Sequence, residues 1–138
     1  MSILSRPALL AAAAAMAVPL AVPALAAGDP LAPYRWRSRV LVALAPSTAD
    51  PALAAQRRIF SGLGAAGRER DLVLVEATDG TPAGDALRRR FGGAGFRAVL
   101  VGKDGGEKLG AAVPLGADAL FPLIDAMPMR RDEMAGRR

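Results

Sequence analysis

The sequence has no cysteine and no histidine. Without cysteine there are no disulfides, no thiolate nucleophile and no dithiol exchange. Without histidine the commonest general base and the commonest metal ligand are missing. Histidine triads, peroxidase chemistry at a thiolate and zinc sites of the usual kind are thereby excluded. Any catalysis would fall to Asp, Glu, Lys, Tyr or Arg. Aromatic residues are scarce too, at 4%, with one Tyr and one Trp. Lysine occurs only at Lys103 and Lys108, so the basic side chains are nearly all Arg. Beyond the N-terminal segment no apolar run approaches the roughly 20 residues a membrane span needs.

The N-terminal segment reads as a targeting signal. Arg6 precedes an unbroken apolar run from Ala8 to Val18; Pro19 and Pro23 end it, and Ala24-Leu25-Ala26 offers small residues for a signal peptidase. The expected boundaries are a signal peptide over 1–26, an extended arm over 27–38, a folded domain over 39–134 and a tail over 135–138. The expected location is periplasmic or secreted. No Cys follows the run, which excludes a lipid-anchored lipoprotein, and no Arg pair precedes it, which argues against twin-arginine export. The formal net charge is +5, and loss of Arg6 lowers it to +4. An exported basic chain can meet anionic lipids or polysaccharides, although a mixed-charge solvated surface is the plainer reading.

The rest of the chain alternates strand-like and helix-like pieces. Residues 28–38, GDPLAPYRWRS, form a polar arm in which Tyr34 or Trp36 would be the anchor. Val40 to Ala45 is a continuous apolar run, the pattern of a strand buried on both faces. Pro46 stops it, Ser47, Thr48 or Asp50 can cap a helix, and Pro51 suits that helix's first turn. Leu53, Gln56, Phe60 and Leu63 give it an inner face, and Gly62, Gly64 and Gly67 are expected to end it. Leu72 to Ala77 reads as a second strand. Thr81 and Pro82 open a short helix with Leu87 and Phe91 inward. Ala98 to Val101 is a third strand, and Asp104-Gly105 signals a hairpin into a fourth near Lys108 and Leu109. A last helix carries Leu120, Leu123, Ile124 and Met127 and stops at Pro128; Pro122 is tolerable if the helix begins near Asp118 or Ala119. The order is β-α-β-α-β-β-α. The expected fold is α/β and thioredoxin-like, a four-stranded mixed sheet flanked by helices. A flavodoxin-like sheet would need a helix where Asp104-Gly105 sits.

The short motifs carry little chemistry. Gly62-Leu63-Gly64-Ala65-Ala66-Gly67 matches GxGxxG but follows a helix and precedes a strand, the reverse of the dinucleotide-binding order. Gly102-Lys103 lacks the upstream Gly and the Ser or Thr of a phosphate loop. Arg88-Arg89-Arg90 reads as a solvated helix face. Glu76, Asp79 and Asp125 do not announce the facing carboxylate pair of a hydrolase. No cofactor, metal or nucleic-acid partner is expected.

Several stretches together, RVLVALAP, RERDLVLVE, LRRRF, VLVGKDGGEKL and LFPLIDAMPMRRDEM, resemble an uncharacterised exported bacterial family. A similar domain occurs in vertebrate sushi-repeat-containing matrix proteins. The resemblance covers about residues 30 to 134. It implies a thioredoxin-like fold related to peroxiredoxins but without their catalytic cysteine, and it supplies no catalytic residue. The loop after the first strand, where a thioredoxin keeps its cysteines, holds Pro46, Ser47 and Thr48 and serves only to cap a helix.

The chain directions make the opposite pole the more interesting one. The first two strands begin there, with Arg37, Arg39, Arg70 and Asp71. The hairpin turns there, with Lys103 and Asp104, and the last helix ends there, with Asp125, Met127, Met129, Arg130 and Arg131. The candidate site is Arg70, Lys103, Asp104, Asp125, Met127, Met129, Arg130 and Arg131. Arg130, Arg131 and Lys103 would hold an anionic group, and Met127 and Met129 would give adaptable apolar contact. The expected function is a non-redox binding module for an envelope protein or an anionic surface component. The alternatives are an enzyme for phosphate or carboxylate substrates, with Asp104 or Asp125 as base, and a purely structural accessory domain. On the structural reading the pole is an ion-pair cluster that clips the C-terminal segment down.

Overall fold

The computed structural model describes residues 28–136. The expected signal peptide lies outside the described residues. The elements are β1 (Arg39–Ala45), α1 (Pro51–Glu69), β2 (Leu72–Thr78), α2 (Pro82–Phe91), β3 (Arg97–Val101), β4 (Glu107–Ala111), α3 (Ala117–Asp125) and α4 (Pro128–Ala135), after a 3-10 turn at Ala32–Tyr34. The sheet order is β2-β1-β3-β4. β1 pairs parallel to β2 and antiparallel to β3, and β3 pairs antiparallel to β4. The fold is therefore α/β with a four-stranded mixed sheet, and its order matches the expected thioredoxin-like arrangement in outline.

Position in the sheet explains the strand sequences. β1 has neighbours on both edges and helices on both faces, so every residue of it is buried. Leu41, Ala43 and Ala45 face a core built with Leu53 of α1 and with Leu120 and Ile124 of α3. Val40, Val42 and Leu44 face a second core with Leu87 and Phe91 of α2 and with Leu31. β2 is an apolar edge strand. Between β3 and β4 the turn closes by Gly102 N donating to Gly106 O and Gly105 N donating to Gly102 O. Gly105 has φ +84°, which is why a glycine follows Asp104.

Three expectations are corrected, and one left open between two residues is decided. The glycines do not end the first helix: α1 runs to Glu69, and the chain kinks at Gly64, whose φ is 55° and ψ −135°. The segment ahead of β1 is not an extended arm. It folds into the 3-10 turn because Leu31, 4% exposed, and the half-buried Tyr34 cover the second core. Of the two expected anchors, Tyr34 is the one the fold uses, and Trp36 points to solvent. Pro128 ends one helix but also starts another, since proline fits the first position of a helix. So the helix expected to be the last is followed by another, α4, over Pro128–Ala135. α3 begins at Ala117, which leaves Pro122 inside it, and the proline supplies no N–H for the Asp118 carbonyl.

Candidate functional site: an ion-pair cluster at one pole

Each charged residue at this pole is placed by the end of an element. Arg39 opens β1, and its amide donates to Asp71 O at 2.8 Å. Arg70 caps the C-terminus of α1, and Asp71 takes φ 50° to turn the chain into β2. Lys103 follows β3. Asp125 ends α3, and α4 supplies Arg130 and Glu133.

These groups pair in a closed pattern. Arg39 meets Glu133 with both terminal guanidinium nitrogens, at 3.1 and 3.3 Å, and gives another hydrogen bond to Arg70 O at 2.9 Å. Lys103 donates to Glu133 and, at 2.8 Å, to Asp71. Arg70 clasps Asp125 at 3.0 and 2.9 Å, and its guanidinium lies 4.0 Å over the Phe121 ring. Arg130 donates to Asp125 at 3.1 Å and to Glu69 at 3.2 Å, with Glu133 at 3.9 Å. Four cations thus face four carboxylates. Arg39, Arg130 and Lys103 are 1%, 2% and 9% exposed. Only Arg39 Nε lacks a partner among the buried nitrogens of this cluster.

The protonation states follow from these contacts. Hydrogen bonding from Arg70, helped by Arg130, holds Asp125 below the usual carboxylate range against the pull of burial. Burial pushes Glu133 upward, but Lys103 and Arg39 outweigh it and its pKa falls. Burial likewise works against the charge on Arg130, and Asp125 and Glu69 overcome it, so its pKa rises. Asp104 is lowered first by the Gly106 amide and then by Lys108. A carboxylate held ionised by cations is a poor proton acceptor. Asp125 is held that way by Arg70 and Arg130, and Asp104 is held first by the Gly106 amide and then by Lys108, so neither candidate base is set up to take a proton.

The eight candidate residues fall into two groups. Arg70, Lys103, Asp125 and Arg130 come together, and Lys103 and Arg130 both reach Glu133. Their charges are used inside the fold, so none is left free to hold an external anion. Asp104 instead closes the hairpin, accepting from Gly106 N at 2.9 Å and pairing with Lys108 at 3.0 Å. Met127 packs on the first core, Met129 is 38% exposed, and Arg131 is exposed with no ion-pair partner among the described residues. A pocket of about 60 Å³ lies between the hairpin and α4, and its lining includes Arg39, Lys103, Asp104, Lys108, Met127 and Met129.

Glu133 and Glu69 were not among the candidates, although both complete the cluster. The Met-Pro step at 127–128 was the available signal for Glu133: it starts a new helix, and a helix puts Glu133 one turn after Arg130.

A family model described as a domain of unknown function, DUF4174, matches residues 30–133. The chain is a member of the DUF4174 family. The match spans every element from the 3-10 turn into α4, so the ion-pair cluster lies within the DUF4174 domain. No curated protein matches the chain. Elsewhere in this DUF4174 domain the remaining charge motifs resolve into surface pairs. Arg88 meets Asp79 at 2.9 Å, and Arg57 meets Glu76. The GxGxxG run lies within α1 across the kink at Gly64, and it follows helix and not a strand.

Proposed function

We propose that this DUF4174 domain is an exported binding module without redox chemistry, and that it engages an anionic component of the cell envelope through the pole just described. The observation that carries this reading is the convergence of VGKDGG and MPMRR on the Glu133 carboxylate, with Met129 and Arg131 exposed beside it. Lys103, Arg70, Asp125 and Arg130 set the shape of the surface, Met127 and Met129 border its pocket, and Arg131 supplies free charge. Chemical crosslinking in the envelope, followed by capture, tests the reading on the wild-type chain and a Met129→Ala, Arg131→Gln variant. Both side chains are exposed, so the fold is expected to survive. The expected result is a partner that weakens with moderate salt and disappears with the variant. Identical captures from both proteins would overturn it.

A second reading, a structural accessory domain, draws on the charge balance of the cluster. It expects the variant to make no difference.

A further inference from the structure

The segment from Asp29 to Ser38 holds three large apolar side chains and sends them in two directions. Leu31 and Tyr34 turn inward. Trp36, the only tryptophan, is 63% exposed, more than any other large apolar side chain described. The backbone holds it there. Its φ of 64° is left-handed, a conformation disfavoured for a bulky residue. Its amide donates to Lys103 O at 2.7 Å, and the amides of Arg37 and Ser38 both donate to Tyr34 O.

The charge around this turn is not balanced. Arg35 and Arg90 share Asp29, at 3.5 and 3.4 Å, and Arg90 also donates to Gly105 O. Arg37 is exposed and has no ion-pair partner among the described residues. Two guanidinium groups therefore share one carboxylate, and Arg37 adds a third positive charge to the same short segment without a carboxylate of its own among the described residues. Beneath them Arg39 and Lys103 are already neutralised by Glu133 and Asp71.

The geometry points to this turn docking on an anionic phospholipid surface, with Trp36 entering the headgroup layer and Arg35, Arg37 and Arg90 meeting lipid phosphates. The inference rests on the proposed role of this pole and names its partner. A stable protein interface needs about 800 Å² from each side around apolar anchors. Among the described residues, the exposed large apolar side chains at the pole are Trp36 and Met129; Ile59 and Val113 lie on α1 and beyond β4. A lipid surface moulds itself around a protruding indole, and tryptophan favours that boundary. Arginines near an anionic surface add attraction residue by residue.

Vesicles of mixed phosphatidylglycerol and phosphatidylcholine test this, against phosphatidylcholine alone. The chain starting at Ala27 carries every described residue and omits the apolar N-terminal run, which would bind vesicles by itself. The emission of Trp36 and cosedimentation are the two readouts. The expected result is a blue shift and shielding from a soluble quencher with phosphatidylglycerol only. Arg37→Gln should lower partitioning about fivefold, and Trp36→Ala about tenfold or more by cosedimentation. Vesicle binding unaltered by Trp36→Ala, or no binding to phosphatidylglycerol, overturns the inference. A shift produced by soluble polygalacturonate and not by vesicles also overturns it, yet leaves the pole as a binding surface. Binding lost with Arg131→Gln but kept with Trp36→Ala does the same. Envelope capture that is insensitive to Met129 and Arg131 would instead remove the wider reading.

Discussion

Replacing Glu133 by Gln should weaken the docking of α4, leaving the Arg130 ties to Asp125 and Glu69 in place. The one fully buried side chain of that helix is an arginine, Arg130, so apolar burial does little to hold it. What holds it is charge. The Glu133 carboxylate takes both nitrogens of Arg39 and the ammonium of Lys103. Without it, Lys103 keeps Asp71, but Arg39, 1% exposed, loses its only carboxylate and keeps only Arg70 O. Removing one partner of a fully buried pair costs about 3–5 kcal/mol. Glu133 is 19% exposed, and Gln retains an acceptor oxygen. Both reduce the loss, to about 2–3 kcal/mol, the range for hydrogen bonds to a charged group. For a domain of this size that is a fall in Tm of about 10 °C. Thermal and urea unfolding followed by far-UV circular dichroism would measure it. The control is Asp132→Asn, exposed and without an ion-pair partner among the described residues. A double replacement, Arg39→Met with Glu133→Leu, should recover part of the loss, because an apolar pair has no charge to strand. If Glu133→Gln is as stable as the Asp132→Asn control, α4 is held by something else and the reasoning fails.

Two further outcomes follow from the same contacts. Gln56 is fully buried, and its amide both donates to Leu115 O at 2.9 Å and accepts from Leu115 N at 2.8 Å, tying α1 to the loop before α3. Gln56→Leu strands two buried backbone groups and should cost about 2–4 kcal/mol in urea unfolding; a change under 0.5 kcal/mol would show the tie to be dispensable. Acid should destabilise the fold. Glu133 and Asp125 titrate below their ordinary values of 4.5 and 3.8 in the folded chain. Their contribution is complete above those values and is lost as pH falls through the lower folded ones. A urea midpoint that stays level between pH 7 and pH 3 would contradict this.

The sheet was legible because its signals are local. The runs at Val40–Ala45 and Ala98–Val101 are apolar at every position, and only a central strand covered on both faces needs that. Asp104-Gly105 fixed the hairpin, and with it the direction of the last two strands. What could not be read was where proline and glycine act as links and where as breaks. Gly64 kinks α1 but does not end it, because the turns on either side still have partners on the sheet. Pro128 both stops α3 and starts α4, and the sequence shows only the stop unless the residues after it are tested as a new helix. The sequence left the anchor open between Tyr34 and Trp36, since both rings suit that role. Leu31 and Tyr34 had already filled that part of the core.

The candidate site shows a sharper limit. Arg130 and Arg131 are adjacent and chemically identical, yet a helix turns about 100° between neighbours. One arginine points into the cluster at 2% exposure, and the other faces solvent. Counting basic residues along the sequence made the whole pole basic. In the fold, Arg39, Arg70, Lys103 and Arg130 are matched by Glu69, Asp71, Asp125 and Glu133. The charge that can reach a partner is therefore the remainder on the rim: Arg37, Arg131 and the arginines around Trp36, set against Asp132, which has no ion-pair partner among the described residues. Substitutions inside the cluster should act on stability and those on the rim on binding, so a loss of binding is informative about a surface only when it comes from the rim.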